Sequence, residues 1–193
     1  MVGFTAAAIA LATALGMTVE EACEGLAAYQ PPPGRTRLLH GTKGSLLIDD
    51  SYNASPAAVE EALASLTLAA GQTGHRRIAV LGDMLELGRY SHAEHERIGT
   101  LAARHADILA TVGVRARGIA EAAKQAGMKE ESIYIYANAE EAAEALLPMI
   151  TEKDAVLVKG SQSIRTERIV AALLENPEDM VHLVRQDVQW KKR

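Results

Sequence analysis

Three short polar segments hold most of the side chains through which this chain could do chemistry, and each stands at the end of an apolar run. They are Asp49-Asp50-Ser51-Tyr52-Asn53-Ala54-Ser55-Pro56, Gly82-Asp83-Met84-Leu85-Glu86-Leu87-Gly88 and Val158-Lys159-Gly160-Ser161. Paired carboxylates such as Asp83 and Glu86 can orient an ammonium group, which suits an amine substrate. Lys159, with the backbone donors of a helix start beside it, suits a carboxylate or a phosphate. Asp50 reads as a ribose or substrate contact, and Asn53 as either an Asx-turn or a hydrogen bond to a base or amide. Each has a plainer alternative: a turn-forming carboxylate at 50, an acidic helix cap at 83 and 86, a strand-end lysine in water at 159. His92 and His95 stand at a helical interval that suggests metal. No further His, Cys or acidic spacing completes a ligand shell, so surface or helix-packing histidines are expected and a metal site is not.

The elements that must position these segments follow from the hydrophobic pattern. The apolar runs are SLLIDD (45–50), RIAVLGD (77–83), DILATVG (107–113), SIYIYA (132–137) and DAVLVKG (154–160). Helical stretches near 56–70, 92–104, 116–126, 139–149 and 165–175 follow them. Strands alternating with helices imply right-handed crossovers and a mostly parallel sheet, hence an α/β, Rossmann-like three-layer domain of about six strands. In such a sheet the strands' carboxyl ends share one edge, so Asp50, Asp83, Gly113 and Lys159 should gather there. TRLLH (36–40) and SLLIDD flank Gly41-Thr42-Lys43-Gly44 and read as a hairpin, which puts the first strand antiparallel at an edge. Ser55 is placed as an N-cap, with Pro56 in the first helical turn, where its missing donor does no harm.

The net charge of −5 over 193 residues argues against a protein built on attraction to nucleic-acid backbones. The apolar stretch at 6–16 lacks a basic leader and is too short to span a bilayer, so no membrane partner is expected. It reads instead as a helix from a larger core, followed by a second helix with Thr18 and Glu21 at capping-box spacing. The lone Cys23 reads as a small buried hydrophobe in a reducing cytoplasm. Pro31-Pro32-Pro33-Gly34 breaks both helix and strand and is the best domain boundary. The expected division is a helical remnant of a preceding domain at 1–30, the α/β domain at 31–176 and a tail at 177–193. That tail should dock Trp190 and leave Lys191-Lys192-Arg193 solvated. The sequence has neither a Gly-x-x-x-x-Gly-Lys-Ser/Thr phosphate loop nor a Gly-x-Gly-x-x-Gly fingerprint.

Taken together, PPPGRTR, LIDDSYNASP, AVLGDMLELG with Ser91 and His95, and LVKGS with Glu167 resemble the carboxyl-terminal part of the Mur ligases, in the family's motif order. The resemblance covers nearly the whole chain and is strongest to the branch whose amine substrate is D-alanyl-D-alanine. It implies a bacterial, cytoplasmic, ATP-dependent ligase that phosphorylates the carboxylate of UDP-N-acetylmuramoyl-tripeptide, which the dipeptide amine then attacks. The phosphate loop, Mg2+ ligands and carbamylated lysine would lie in the missing amino-terminal and central domains, which leaves this chain alone inactive and with no tightly bound cofactor. Residue by residue, the resemblance implies Arg35 at the nucleotide phosphates, Asp50 at the ribose with Asn53 beside it, and Asp83, Glu86, Lys159 and Ser161 around the dipeptide. Two positions depart from the family pattern: Ser55 replaces a common Asn, which it can match as a cap, and Gln162 replaces a common Arg, which removes a permanent charge and leaves the carboxylate-binding group open. A sister Mur or folylpolyglutamate-type ligase would share the fold and the Arg35/Asp50 pair. From a different class, a flavodoxin-like module would bind a small molecule at the same edge without catalysis.

Overall fold

A computed structural model describes residues 2–191, which fall into two compact units that divide after Pro31. In the first unit, helix α1 (Val2–Ala14) and helix α2 (Val19–Ala27) pack as a pair. Thr18 caps α2 as its spacing implies: its Oγ accepts from the Glu21 N–H at 3.1 Å, and the Glu21 carboxylate accepts from the Thr18 N–H at 2.8 Å. Two helices bury little, so Leu11, Leu15, Val19 and Tyr29 remain exposed. Cys23 is exposed as well, contrary to expectation, because it is turned about 100° around α2 from its one buried residue, Ala22.

The second unit is built on six strands: β1 (Arg37–Gly41), β2 (Ser45–Asp50), β3 (Arg76–Gly82), β4 (Ile108–Val112), β5 (Ile133–Tyr136) and β6 (Asp154–Lys159). Their order across the sheet is β1-β2-β6-β3-β4-β5, with β1 antiparallel and every other pairing parallel. The expected class and the edge hairpin are both present. Its connection is a residue shorter than the four-residue turn, because Gly41 pairs with Ser45 and belongs to β1.

Alternate side chains of the central strands point to opposite faces, and both faces are covered. On one, Ile48, Ala79, Leu81, Leu109 and Leu157 pack against α3 (Pro56–Thr73), α4 (Ser91–His105) and α5 (Arg117–Gln125). On the other, Leu47, Ile78, Val80, Val112, Val156 and Val158 pack against α6 (Ala139–Met149) and α7 (Glu167–Leu173). Since β6 sits between β2 and β3, the chain leaves β6 toward one face while β2 and β3 lead to the other. That divergence opens a crevice at the carboxyl ends of these three strands.

Two expectations need correction. The helix expected near 165–175 starts at Glu167, because Arg165 takes a left-handed φ of 62°. The tail does more than dock an aromatic ring: Leu183 joins the core, and the Arg185 side chain is nearly buried against Glu167. Lys192 and Arg193 lie outside the described residues, and among those no helix is long and apolar enough to cross a membrane.

Candidate functional site

The site begins with two adjacent buried aspartates at the end of β2. Asp49 accepts hydrogen bonds from the backbone N–H of Gly34 (3.1 Å), the N–H of Ser51 (3.1 Å) and the Ser51 hydroxyl (2.5 Å). It thereby fastens the Pro-rich loop to the polar loop. Burial pushes its carboxyl above the ordinary value, opposed by those hydrogen bonds. Asp50 faces Lys159, its register partner on β6, with Nζ 2.6 Å from the carboxylate. Lys159 also donates to the Asn53 carbonyl at 3.0 Å, while Asp50 accepts from the Thr36 N–H at 3.1 Å.

Asp50 and Lys159, assigned from sequence to separate nucleotide and dipeptide sites, thus form one buried ion pair. Lys159 is only 3% exposed, which removes the reading of a lysine in water. A buried cation must be paired, and the residue facing it across the parallel register is an aspartate.

Asp83, after β3, is also buried, and its carboxylate accepts from the Ala116 N–H at 2.7 Å with Arg115 alongside at 4.0 Å. It anchors the segment entering α5, lies against Gly113, and does not pair with Glu86 at the cleft. The next residue, Met84, donates its N–H to His95 Nε2 at 3.1 Å, while His95 Nδ1 lies 2.6 Å from the Ser91 carbonyl. A carbonyl only accepts, so Nδ1 carries the proton and Nε2 is the acceptor. His95 is therefore a buried brace for this loop, and His92 is exposed beside Glu96 at 3.3 Å. Among the described residues no three His, Cys, Asp or Glu side chains cluster as a metal site.

The loop after β6 ties the other two together. Ser161 donates its backbone N–H to the Asp83 carbonyl at 3.0 Å, and its hydroxyl oxygen accepts from the Leu85 N–H at 2.9 Å. Gly82 and Gly160 permit this approach: a Cβ on either would stand 3.1–3.2 Å from the other's Cα.

A cleft of about 670 Å³ opens over these braces. Asn53, Ala54 and Ser55 line it from the β2 loop, Leu85, Glu86 and Leu87 from the β3 loop, and Ser161, Gln162, Ser163 and Arg165 from the β6 loop, with Trp190 from the tail. Of the seven candidates, the cleft brings together Asn53, Glu86 and Ser161. Asp50, Asp83 and Lys159 lie beneath it, and Arg35 stands apart, its guanidinium 4.2 Å from the centre of the Tyr52 ring. Ser55 occupies the N-cap position of α3, but its side chain makes no capping bond and faces the cleft.

The comparisons with known proteins bear on this arrangement. Residues 34–162 match the family described as Mur ligase, glutamate ligase domain. The chain belongs to the Mur ligases. The UDP-N-acetylmuramoyl-tripeptide–D-alanyl-D-alanine ligase of Escherichia coli is 35% identical over 173 residues, 88% of this chain and 36% of the relative. That of Bacillus subtilis is 30% identical over 173 residues, 89% of this chain and 37% of the relative. A crystal structure of MurF from Acinetobacter baumannii superposes with a TM-score of 0.70 at 30% identity, covering 89% of this chain and 37% of that one. MurF ligase from Thermotoga maritima, solved in complex with ADP, gives a TM-score of 0.66 at 26% identity, covering 90% of this chain and 36% of that one. The chain thus spans about a third of the length of the curated relatives it matches.

In this Mur ligase domain sequence reasoning missed Arg185. It donates to the carbonyls of Ser51 (3.1 Å) and Tyr52 (2.6 Å) and to Glu167 (2.8 Å). No periodicity marks it, since it lies in irregular chain at a left-handed φ of 60°.

Proposed function

We propose that this domain is the acceptor-binding and nucleotide-contacting part of an ATP-dependent amide-bond-forming ligase that adds D-alanyl-D-alanine to UDP-N-acetylmuramoyl-tripeptide. The observation that carries this reading is the cleft at the divergence of β2, β6 and β3, in which Asn53, Glu86 and Ser161 meet from three loops. Among the described residues Glu86 is the only anion lining it, and it suits the ammonium end of a dipeptide. The Ser161 oxygen already accepts from Leu85, so its O–H proton is available to an acceptor in the cleft. The relatives matched over most of this chain carry that ligase activity in their names.

Arg35 and Asn53, both exposed, suit contacts to a nucleotide, and the Tyr52 ring holds the Arg35 guanidinium in place. Asp50 does not suit a ribose contact while it holds Lys159, so its part in nucleotide binding is to fix the loop bearing Asn53. The described residues do not fit Mg2+, because Asp50 and Asp83 are spent on internal partners and no carboxylate cluster remains. Phosphoryl transfer depends on a phosphate cradle and metal, and no phosphate-loop sequence is present in these 193 residues. The chain by itself therefore turns nothing over, and its reaction needs the parts of the relatives' length that it does not span.

Titration of the chain with D-alanyl-D-alanine, and separately with an ATP analogue, followed by amide chemical shifts, tests this. The dipeptide should perturb residues 85–87 and 161–163, and the nucleotide residues 34–35 and 52–53. Silence of both regions at millimolar ligand refutes the reading, as does phosphate release from ATP by the chain alone with both substrates present.

A further inference from the structure

Among the described residues two charged side chains line the cleft, Glu86 from the β3 loop and Arg165 from the β6 loop. Both hold left-handed backbone, with φ of 65° and 62°. Such geometry costs a non-glycine residue about 1–2 kcal/mol, so local preference alone does not account for it.

The surroundings of Arg165 leave part of its binding capacity unspent. Its Nε–H donates to Glu167 at 2.5 Å, and Arg185 takes the other carboxylate oxygen at 2.8 Å. Glu167 is 3% exposed and carries one negative charge against two guanidinium groups, which leaves one positive charge over at the wall of the cleft. Among the described residues no hydrogen bond engages the terminal nitrogens of Arg165. Trp190, which also lines the cleft, lies 5.4 Å from the Arg165 guanidinium and 5.7 Å from that of Arg185. A guanidinium fixed through Nε and in cation–π contact with an indole presents its remaining N–H groups as an oriented fork, the geometry that receives a carboxylate.

We propose that Arg165 is the specificity-determining residue that receives the carboxylate end of a zwitterionic ligand, with Trp190 holding it in place and Glu86 facing the ammonium end. The inference rests on the amine-substrate reading of the cleft and adds to it the group that selects a free carboxylate. It also makes the chain's last segment part of the site, since Arg185 and Trp190 both act on Arg165 and its partner.

The test compares D-alanyl-D-alanine with its carboxyl-terminal amide on the whole chain. Two readouts are followed: amide shifts at 85–87, and the emission of Trp190, the chain's single tryptophan. The acid should bind about ten-fold or more tightly than the amide and alter Trp190 emission, in keeping with a charge-assisted pair. Arg165→Met should bring the two ligands within about two-fold of each other. Gln162→Ala, a neutral neighbour on the same wall, should keep the discrimination, and Arg165→Lys should keep part of it. If the wild-type chain binds acid and amide equally, or Arg165→Met retains the ratio, while 85–87 still shift, the Arg165 assignment falls and the cleft reading stands. If neither ligand shifts 85–87, both fall together. The wild-type comparison decides the matter even if Arg165→Met does not fold.

Discussion

Replacing Lys159 with methionine should cost the domain several kcal/mol, and the cost should depend on pH. Lys159 and Asp50 are 4% and 10% exposed at the side chain and lie 2.6 Å apart. Methionine matches the lysine stem in length but leaves the Asp50 carboxylate buried with one hydrogen-bond donor, the Thr36 N–H, and the weaker pull of the Arg35 charge. Removing one member of a buried pair costs about 3–5 kcal/mol, chiefly because the surviving charge is uncompensated. The Asn53 carbonyl loses its lysine donor as well, worth about 1 kcal/mol. With a urea m-value of at most ~3 kcal/mol/M, a loss of ~3 kcal/mol moves the midpoint down by about 1 M or more.

The pH dependence separates charge from packing. Burial already holds the Asp50 carboxyl above its ordinary value of 3.8, against the pull of Lys159. Without Lys159 the folded-state value rises further. A carboxyl whose folded value exceeds its unfolded value penalises folding above the folded value, and the penalty fades as pH falls through it. Lys159→Met should therefore be most destabilising near neutral pH and less so on acidification. Asp50→Asn combined with Lys159→Met should be no less stable than either single variant, since the pair leaves together. Urea unfolding followed by Trp190 emission reports on the unit that holds the pair. A cost below about 1 kcal/mol at neutral pH, or one that does not change with pH, would refute the argument.

Two further expectations rest on single contacts. A Cβ on Gly99 of α4 would stand 2.2 Å from the Ile119 carbonyl oxygen of α5, so Gly99→Ala should destabilise by about 1–3 kcal/mol. Gly118→Ala meets only His95 Cβ at 3.5 Å and should fall within ~1 kcal/mol of wild type by thermal melting; equal effects at the two positions would contradict the packing account. The paired hydrogen bonds from Arg77 to Asp107, at 2.7 and 3.1 Å, hold the Asp107 carboxyl below its ordinary 3.8 against partial burial. Its folded value is the lower one, so it contributes stability above the unfolded value that is lost as pH falls toward the folded one. Arg77→Met should raise the carbon-13 titration midpoint of Asp107, and an unmoved midpoint overturns the assignment.

The sheet was legible because β2, β3, β4 and β6 are apolar runs of strand length whose neighbours on both faces are helices. The gathering of Asp50, Asp83, Gly113 and Lys159 followed from parallel order alone, and β6 slotting between β2 and β3 made Asp50 and Lys159 direct partners. What composition could not reveal is depth. Asp49, Asp50, Asp83, Lys159 and Glu167 belong to the same residue classes as Glu86 and Arg165 and stand in or beside the same loops, yet all five are buried. Within a strand, alternation tells inward from outward; after the last paired residue the chain turns, the two-residue period ends, and facing is set by contacts from elsewhere in the sequence. Arg185 is the extreme case, since the carbonyls it holds lie more than 130 positions away.

This depth gives the domain two layers with different duties. The lower layer is a set of ionic and polar braces: Asp49 joins residue 34 to 51, Lys159 joins Asp50 to Asn53, His95 holds Met84, Ser161 holds Leu85, and Arg185 holds Ser51, Tyr52 and Glu167. Each brace ends on the backbone or side chain of a residue at or beside the cleft. The upper layer, Asn53, Glu86 and Arg165, consists of side chains that such bracing leaves pointed into the opening. Loops with few buried apolar contacts are otherwise the least stable parts of a domain, and a binding site needs its groups held to within about half an ångström. Buried charge supplies that hold where the loops have little apolar surface to bury. Loss of a lower-layer residue should therefore weaken folding and ligand binding together. Loss of Asn53 or Glu86 should weaken binding and leave folding nearly unchanged, whereas Arg165, paired with buried Glu167, belongs to both layers.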